Sequence, residues 1–324
     1  MLPPHLVAAA VITVVVAAVV AVVAAVAVAV AEGDVAAVVA VVEGDKIVLP
    51  STPLGIGLGY REPFRSELFL NRDSVDFLEI VAEHYLDPNP FKQQELELLA
   101  AHFLLIPHAL NLSIGSAEGI DEDYLKILAH LIRKLDPPWW SEHLCFTRAG
   151  GIDIGHLSPL PYTREAVEVV CRNIETVRRQ IDVPLILENI SYLVTIPGSE
   201  MTEAQFIGEV ADRAEIGILL DATNLYTNSI NHSYDIKNFL SQLPLERIVQ
   251  LHFVGGYWNN GILIDSHSHA TPIEVWELMA EIIASAPVRC VVLERDENLP
   301  HFAEILTELE RARQIFKFSE DKQV

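Results

Sequence analysis

Three residues in the stretch 248–269, IVQLHFVGGYWNNGILIDSHSH, have the types and spacing of a metal or proton-transfer site. His252 closes a short apolar run, a Gly-Gly loop follows, and Asp265 and His267 stand two residues apart. If the apolar run is a strand, it delivers the His252 imidazole at its carboxyl end, and a loop returns Asp265 and His267 to the same place. The arrangement recurs along the chain. His108 follows LLIP, His143 lies within WWSEHLCF, and Glu188 and Asn189 follow LIL. Asp221 follows GILL with Asn224 three residues on, Glu294 follows VVL with Asp296 two beyond it, and Glu83 and His84 come after VDFLEIV.

Each residue alone is weak evidence, because a carboxylate after a strand is as often a helix cap or a loop ion pair. Jointly they are stronger. Packing His108, His143, Glu188, Asp221, His252, Asp265, His267 and Glu294 into one cavity without cations would cost several kcal/mol for each unpaired buried charge. Four imidazoles and four carboxylates exceed the needs of one ion, so two or three ions sharing carboxylates is the economical expectation. A set without cysteine suits iron, manganese or zinc better than copper(I). His84, His102, His130, His156 and His232 are expected at the surface or in structural roles, Glu118 and Asp121 as solvated charge, and Cys145, Cys171 and Cys290 as ordinary thiols.

To converge, these residues need a scaffold that opens all its strand ends on one face. Eight β-like runs alternate with amphipathic stretches, at 55–58, 77–81, 104–107, 140–146, 185–187, 218–220, 248–251 and 290–293. Helices are expected over 121–135, 163–180, 202–214, 272–284 and 301–316, with Thr163 and Thr202 as N-caps and Pro272 in a first turn. Eight such units predict a closed (β/α)8 TIM barrel, with an open doubly wound sheet as the alternative.

The chain has 324 residues and a net charge of -23, from 45 acidic and 22 basic residues. That balance speaks against nucleic acid as a partner, since phosphates need a basic surface. Residues 6–31 are nearly all Val and Ala, with Thr13 the one polar residue, and the pattern continues past Glu32-Gly33-Asp34 to a second Glu43-Gly44-Asp45. The expected organisation is a low-complexity apolar extension over 1–50, a metal-binding barrel over 51–318 and a tail over 319–324. The extension reads either as dispensable sequence, with a cytoplasmic protein, or as a membrane anchor through 6–31.

The segments GIGLGYR (55–61), VDFLEIVAEHY (75–85), SEHLCFT (141–147), LILENISYLV (185–194), LPLERIVQLHFVGG (243–256), LIDSHSH (263–269) and VVLERDENLP (291–300), with HLSPLPYTREAVEVV (156–170) and the run 200–226, resemble the multinuclear non-haem iron-dependent oxidative enzymes. This family is also known as domain of unknown function 692, and its best-known members act on peptide precursors of methanobactin and related natural products. The resemblance spans about 54–313. It implies a barrel of the xylose isomerase type holding two or three iron ions through His108, His143, Glu188, Asp221, Asn224, His252, Asp265, His267 and Glu294. Asp296 is implied to orient a ligand imidazole or to act catalytically in proton transfer. Glu83-His84-Tyr85 departs from the family's usual Glu-Asn-Tyr, so no ligand role for His84 is carried over. The implied reaction uses dioxygen to modify a cysteine of a ribosomally made precursor peptide. Nothing after Phe316 resembles a recognition domain, so a separate leader-recognition protein is the expected partner. The Gly-rich loop over 148–161 is expected to shape the substrate entrance. The rival expectations are a divalent-metal isomerase or a three-zinc endonuclease on the same barrel, and a membrane-tethered metal-binding protein without turnover.

Overall fold

The computed structural model describes residues 52–320. The Val/Ala-rich extension over 1–50, with its alternative membrane anchor at 6–31, and the last four residues of the tail lie outside the described residues. Among those described, no helix is long and apolar enough to cross a membrane.

Each of the eight sequence runs supplies one strand of a closed parallel barrel, which decides against an open sheet. The barrel strands are β1 (Gly55–Gly59), β2 (Phe77–Val81), β3 (Leu105–Ala109), β4 (Trp140–His143), β7 (Leu185–Glu188), β8 (Gly217–Asp221), β9 (Ile248–Phe253) and β12 (Cys290–Leu293). They close in the order β1-β12-β9-β8-β7-β4-β3-β2. The helices that link and clothe them include α3 (Glu122–Leu135), α4 (Arg164–Arg178), α5 (Glu203–Arg213), α6 (Ala222–His232), α8 (Ile273–Ser285) and α9 (Phe302–Glu320), with α1 (Arg65–Leu70), α2 (Pro90–Ala100) and α7 (Ile236–Leu240) the others described. Their starts follow from capping chemistry. The Thr163 hydroxyl accepts from the Ala166 amide, and Thr202 and Gln205 form a reciprocal capping box that satisfies two orphan amides of α5. Pro272 is the N-cap of α8 rather than a first-turn residue.

Two antiparallel hairpins stand on the carboxyl end of the barrel and correct the expectation of loops there. One pairs β5 (Phe146–Ala149) with β6 (Ile152–Ser158), so the Gly-rich stretch and the run 140–146 are divided between a barrel strand and a hairpin. Gly150 and Gly151 make its turn with positive φ, and Glu118 accepts hydrogen bonds from both amides. Asp121, expected as solvated charge, caps α3 and pairs with Arg148 of the same hairpin. The other hairpin pairs β10 (Gly255–Asn259) with β11 (Ile262–His269), so Asp265 and His267 return on a strand.

The barrel interior is filled in layers. At the amino side Phe77, Ile106, Trp139, Ile186, Leu219, Val249, Cys290 and Val292 pack into one buried apolar cluster. Gly57 makes room for it, because a Cβ there would fall 2.4 Å from the Phe77 ring. Outward-facing strand residues pack instead into the large cluster shared with the helices.

Candidate metal centre

Side chains alternate along a strand, so the residue two positions beyond each inward apolar one also faces the interior. Phe77 is followed in this way by Glu79, Ile106 by His108, Ile186 by Glu188, Leu219 by Asp221 and Val292 by Glu294. His143 ends β4, and His252 comes two residues after the fully buried Gln250. The eightfold closure brings these side chains together over the apolar plug.

The ligand atoms fall into three adjoining groups, each compact enough for one ion. His108, His143 and Glu188 form the first, Glu188, Asp221, His252 and Glu294 the second, and His267, Glu294 and Asp296 the third. Glu188 belongs to two groups and so does Glu294. The Glu188 carboxylate lies 3.4 Å from His108 Nε2 and from His143 Nε2, and its other oxygen lies 3.4 Å from His252 Nδ1. Glu294 Oε2 is 3.2 Å from His252 Nδ1 and 3.5 Å from His267 Nδ1. Two expected site residues stand at the edge of the groups. Asp265 Oδ1 is 3.1 Å from His267 Nε2, and Asp265 Oδ2 accepts from the Ser191 hydroxyl. Asn224 donates its side-chain N–H to the Asn189 carbonyl and keeps its Oδ1 buried without a partner.

Three of the four imidazoles are held from outside, and the fourth, His143, faces a buried carboxylate. His108 Nδ1 meets the Ser141 hydroxyl at 2.7 Å, His252 Nε2 meets Glu79 at 2.8 Å, and His143 Nδ1 lies 3.6 Å from Glu142. Asp296 takes His267 Nδ1 at 3.1 Å, while Arg61 pairs with both Asp296 and Glu294. Carboxylates and hydroxyls in this position fix ring orientation and tautomer. Glu79, Glu142 and Arg61 are inconspicuous in the sequence, because each is embedded in a run or precedes a more conspicuous residue. The period of two from Phe77 to Glu79 is the signal that would have found Glu79. Glu83, by contrast, turns away to accept from the Leu110 and Asn111 amides and the Tyr124 hydroxyl. His232 stacks on Tyr192 in a structural role, as expected.

The electrostatics is that of a charge cluster short of cations. Burial opposes ionisation of Glu188, but His252 and His143 outweigh it and bring its pKa down to about 2. Burial and then Glu188 and Asp265 push Asp221 up to about 8. Burial works against a charged His143, yet Glu188 and Glu142 raise it to about 9. Burial and His143 lower His108. Glu188 Oε2, Asp221 Oδ2, Asn224 Oδ1, His143 Nδ1, His252 Nδ1 and Asp265 Oδ1 are all buried without hydrogen-bond partners. Buried polar atoms are ordinarily satisfied. Orphans concentrated on oxygen and imidazole nitrogen in one cavity fit a set of bound cations, and these residues therefore pass the test for a multinuclear site. A cavity of about 500 Å³ opens from the groups toward both hairpins.

The family model for the RiPP precursor modification enzymes MbnB/TglH/ChrH matches residues 55–317. The chain belongs to this family. As a member of the RiPP precursor modification family it is a metal-dependent, peptide-modifying enzyme, with clustered residues that could hold metal ions at the carboxyl end of the barrel. It is 36% identical to a UPF0276 protein of Streptomyces avermitilis over 263 residues, 79% of this chain and 54% of that one. The chain thus spans about half the length of the Streptomyces relative. A UPF0276 protein of Caulobacter vibrioides is 35% identical over 80% of this chain and 93% of its own length. Among solved structures, a xylose isomerase-type protein from Rhodospirillum rubrum superposes with a TM-score of 0.51 at 13% identity, covering 83% of this chain and 99% of that one. That likeness establishes the barrel type.

Proposed function

We propose that this enzyme holds two or three iron ions, as its roughly nine donors exceed the six or so that one ion uses, and that it uses dioxygen to modify a cysteine of its precursor peptide. The observation that carries the reading is the sharing of Glu188 and Glu294 between adjoining donor groups, since a carboxylate facing two groups at once suits bridging. His108, His143, Asp221, His252, Asp265, His267 and Asn224 would complete the set, with Asp296 holding His267. Imidazole and carboxylate donors without thiolate leave room for a substrate thiolate as the soft ligand. When bound, the iron cluster supplies Lewis acidity toward sulfur and redox capacity toward dioxygen.

The chain's own residues prepare the place for that chemistry. Glu79 and Ser141 fix the outer ring nitrogens of His252 and His108, which directs Nδ1 of the first and Nε2 of the second at Glu188. Asp296 stands 3.1 Å from His267 Nδ1 beside Glu294, and Arg61 offsets the charge of Asp296 and Glu294. The mouth of about 500 Å³ is large enough to admit a cysteine with its flanking backbone. Cys145, Cys171 and Cys290 are all free thiols, which supports a reducing compartment, and a cytoplasmic location is part of the proposal. So is a separate protein that recognises the leader.

The test is anaerobic addition of a cysteine-containing precursor peptide to iron-loaded enzyme, followed by air. A new visible absorption band that needs the thiol, and then dioxygen uptake, is the expected result. Tightly held zinc that resists mild chelation, with neither band nor uptake, would contradict the proposal.

A further inference from the structure

Beside the metal cavity lies a second one of about 520 Å³ that the proposed chemistry does not use. The two share His156, Leu157, Ser191 and Asp265 in their walls, so a peptide reaching the ligand groups passes its mouth. Its chemistry is different. Leu157, Tyr192, Leu193, Val194, Leu263 and Ile264 form its sides, and Leu193 and Val194 are 62% and 66% exposed there. Large apolar side chains left open beside a polar site mark a surface that something apolar covers.

The walls are fixed in advance. The Asn231 side chain donates to the Leu263 carbonyl at 2.8 Å and accepts from the Leu263 amide at 3.0 Å, pinning β11 to α6. On the other side the Tyr192 hydroxyl donates to Glu203 at 2.9 Å, its amide donates to Asn228, and its ring stacks on His232 at 4.5 Å. Thr227 lines the cavity, and its hydroxyl is closed off from solvent without a hydrogen-bond partner. A rigid apolar cavity with exposed Leu193 and Val194 at its side suits an apolar side chain.

We infer that this cavity is a specificity subsite for a bulky apolar side chain within two residues of the modified cysteine. The inference rests on the proposed peptide-cysteine reading and adds the class of sequence the enzyme selects.

The test measures binding of three short peptides to the iron-loaded enzyme under anaerobic conditions by isothermal titration. They are acetyl-Gly-Leu-Cys-Leu-Gly-amide, its Asn-Cys-Asn counterpart of similar size and equal charge, and the Leu-Ser-Leu version of the first. The Leu-flanked cysteine peptide is expected to bind at least about tenfold tighter than the Asn-flanked one. In Leu193→Asn and Val194→Asn variants, whose exposed positions leave the fold intact, that preference is expected to fall below about threefold. Equal affinity of wild type for the Leu and Asn peptides, or a preference untouched in both loop variants, overturns the subsite. Cysteine dependence without flank preference would sink the subsite and leave the proposed reaction standing. Flank preference with no loss on replacing Cys by Ser would do the reverse. Failure of all three peptides to bind overturns the subsite.

Discussion

Two layers inside one barrel, a single alternation step apart on the same strands, have opposite characters. The lower layer, from Phe77, Ile106, Ile186, Leu219 and Val292, is apolar and closely packed. The upper layer, from Glu79, His108, Glu188, Asp221 and Glu294, is as deeply buried but titratable. A rise of about 6 to 7 Å, two residues of strand, separates them. The difference teaches what each layer is for. The plug contributes the stability of buried apolar area, while the upper layer sets like charges against one another and leaves oxygen and nitrogen atoms unpartnered. Such a layer is costly to the bare fold and becomes favourable only when cations enter it, so it belongs to chemistry. β1 makes the contrast from the other side. It offers Gly57 to the plug, where any Cβ would strike the Phe77 ring, and Gly59 beneath Glu294. It therefore supplies no ligand, and Arg61 beyond its end offsets the charge of Glu294 and Asp296 instead.

Substitutions in the two layers are expected to separate stability from metal binding. Phe77→Ala removes the ring that fills the plug and is expected to cost about 3 to 5 kcal/mol of unfolding free energy, read from urea denaturation. The folded fraction keeps its metal content. Loss of metal without loss of stability would break the distinction. Glu79→Gln sits one step higher and should do the opposite. A neutral amide replaces the carboxylate that holds His252 Nε2, weakening the hold on the tautomer whose Nδ1 faces Glu188 and Glu294. Iron(II) affinity measured anaerobically is expected to fall about 10- to 100-fold, with little change in the urea midpoint.

A third substitution sharpens the comparison by testing a buried carboxylate outside the metal layer. Glu203, at the start of α5, accepts from Tyr192, and burial raises its pKa to about 7 from an ordinary 4.5. The folded state thus keeps its proton where the unfolded chain has lost it, so wild-type stability falls as pH rises from 4.5 to about 7. Glu203→Gln lacks this slope. It is expected to match wild type near pH 5 and to exceed it at pH 8 by up to about 2 to 3 kcal/mol, seen as a higher melting temperature. An equal difference at both pH values would contradict the assignment.

Much of this arrangement was legible in the chain because strand ends are marked by an abrupt change of residue type. Val-Val-Leu-Glu294 and Leu-Ile-Leu-Glu188 announce both a barrel strand and the residue it delivers. Glu79 was hidden because it has Leu78 and Ile80 as neighbours, and only the alternation of inward positions separates it from them. Glu142 was hidden by His143, the more conspicuous residue beside it. The hairpins went unread for a different reason. Glycine around 150 and 256 suggested loops, yet Asn260-Gly261, both at positive φ, is the turn pair that closes tight hairpins. Convergence itself is not written locally. That Glu188 faces His108 and His252 at once depends on β7 standing two places from β3 on one side and two from β9 on the other, and only closure decides it.

The central claim is that Glu188 and Glu294 are shared between adjoining metal ions. The most direct measurement is the iron content per folded chain of wild type and Glu188→Gln after identical anaerobic loading and desalting. The account predicts about two or three irons in wild type and a loss of more than one from the single substitution, because two donor groups fail together. One iron per wild-type chain, with the variant unchanged or losing that one alone, would contradict it.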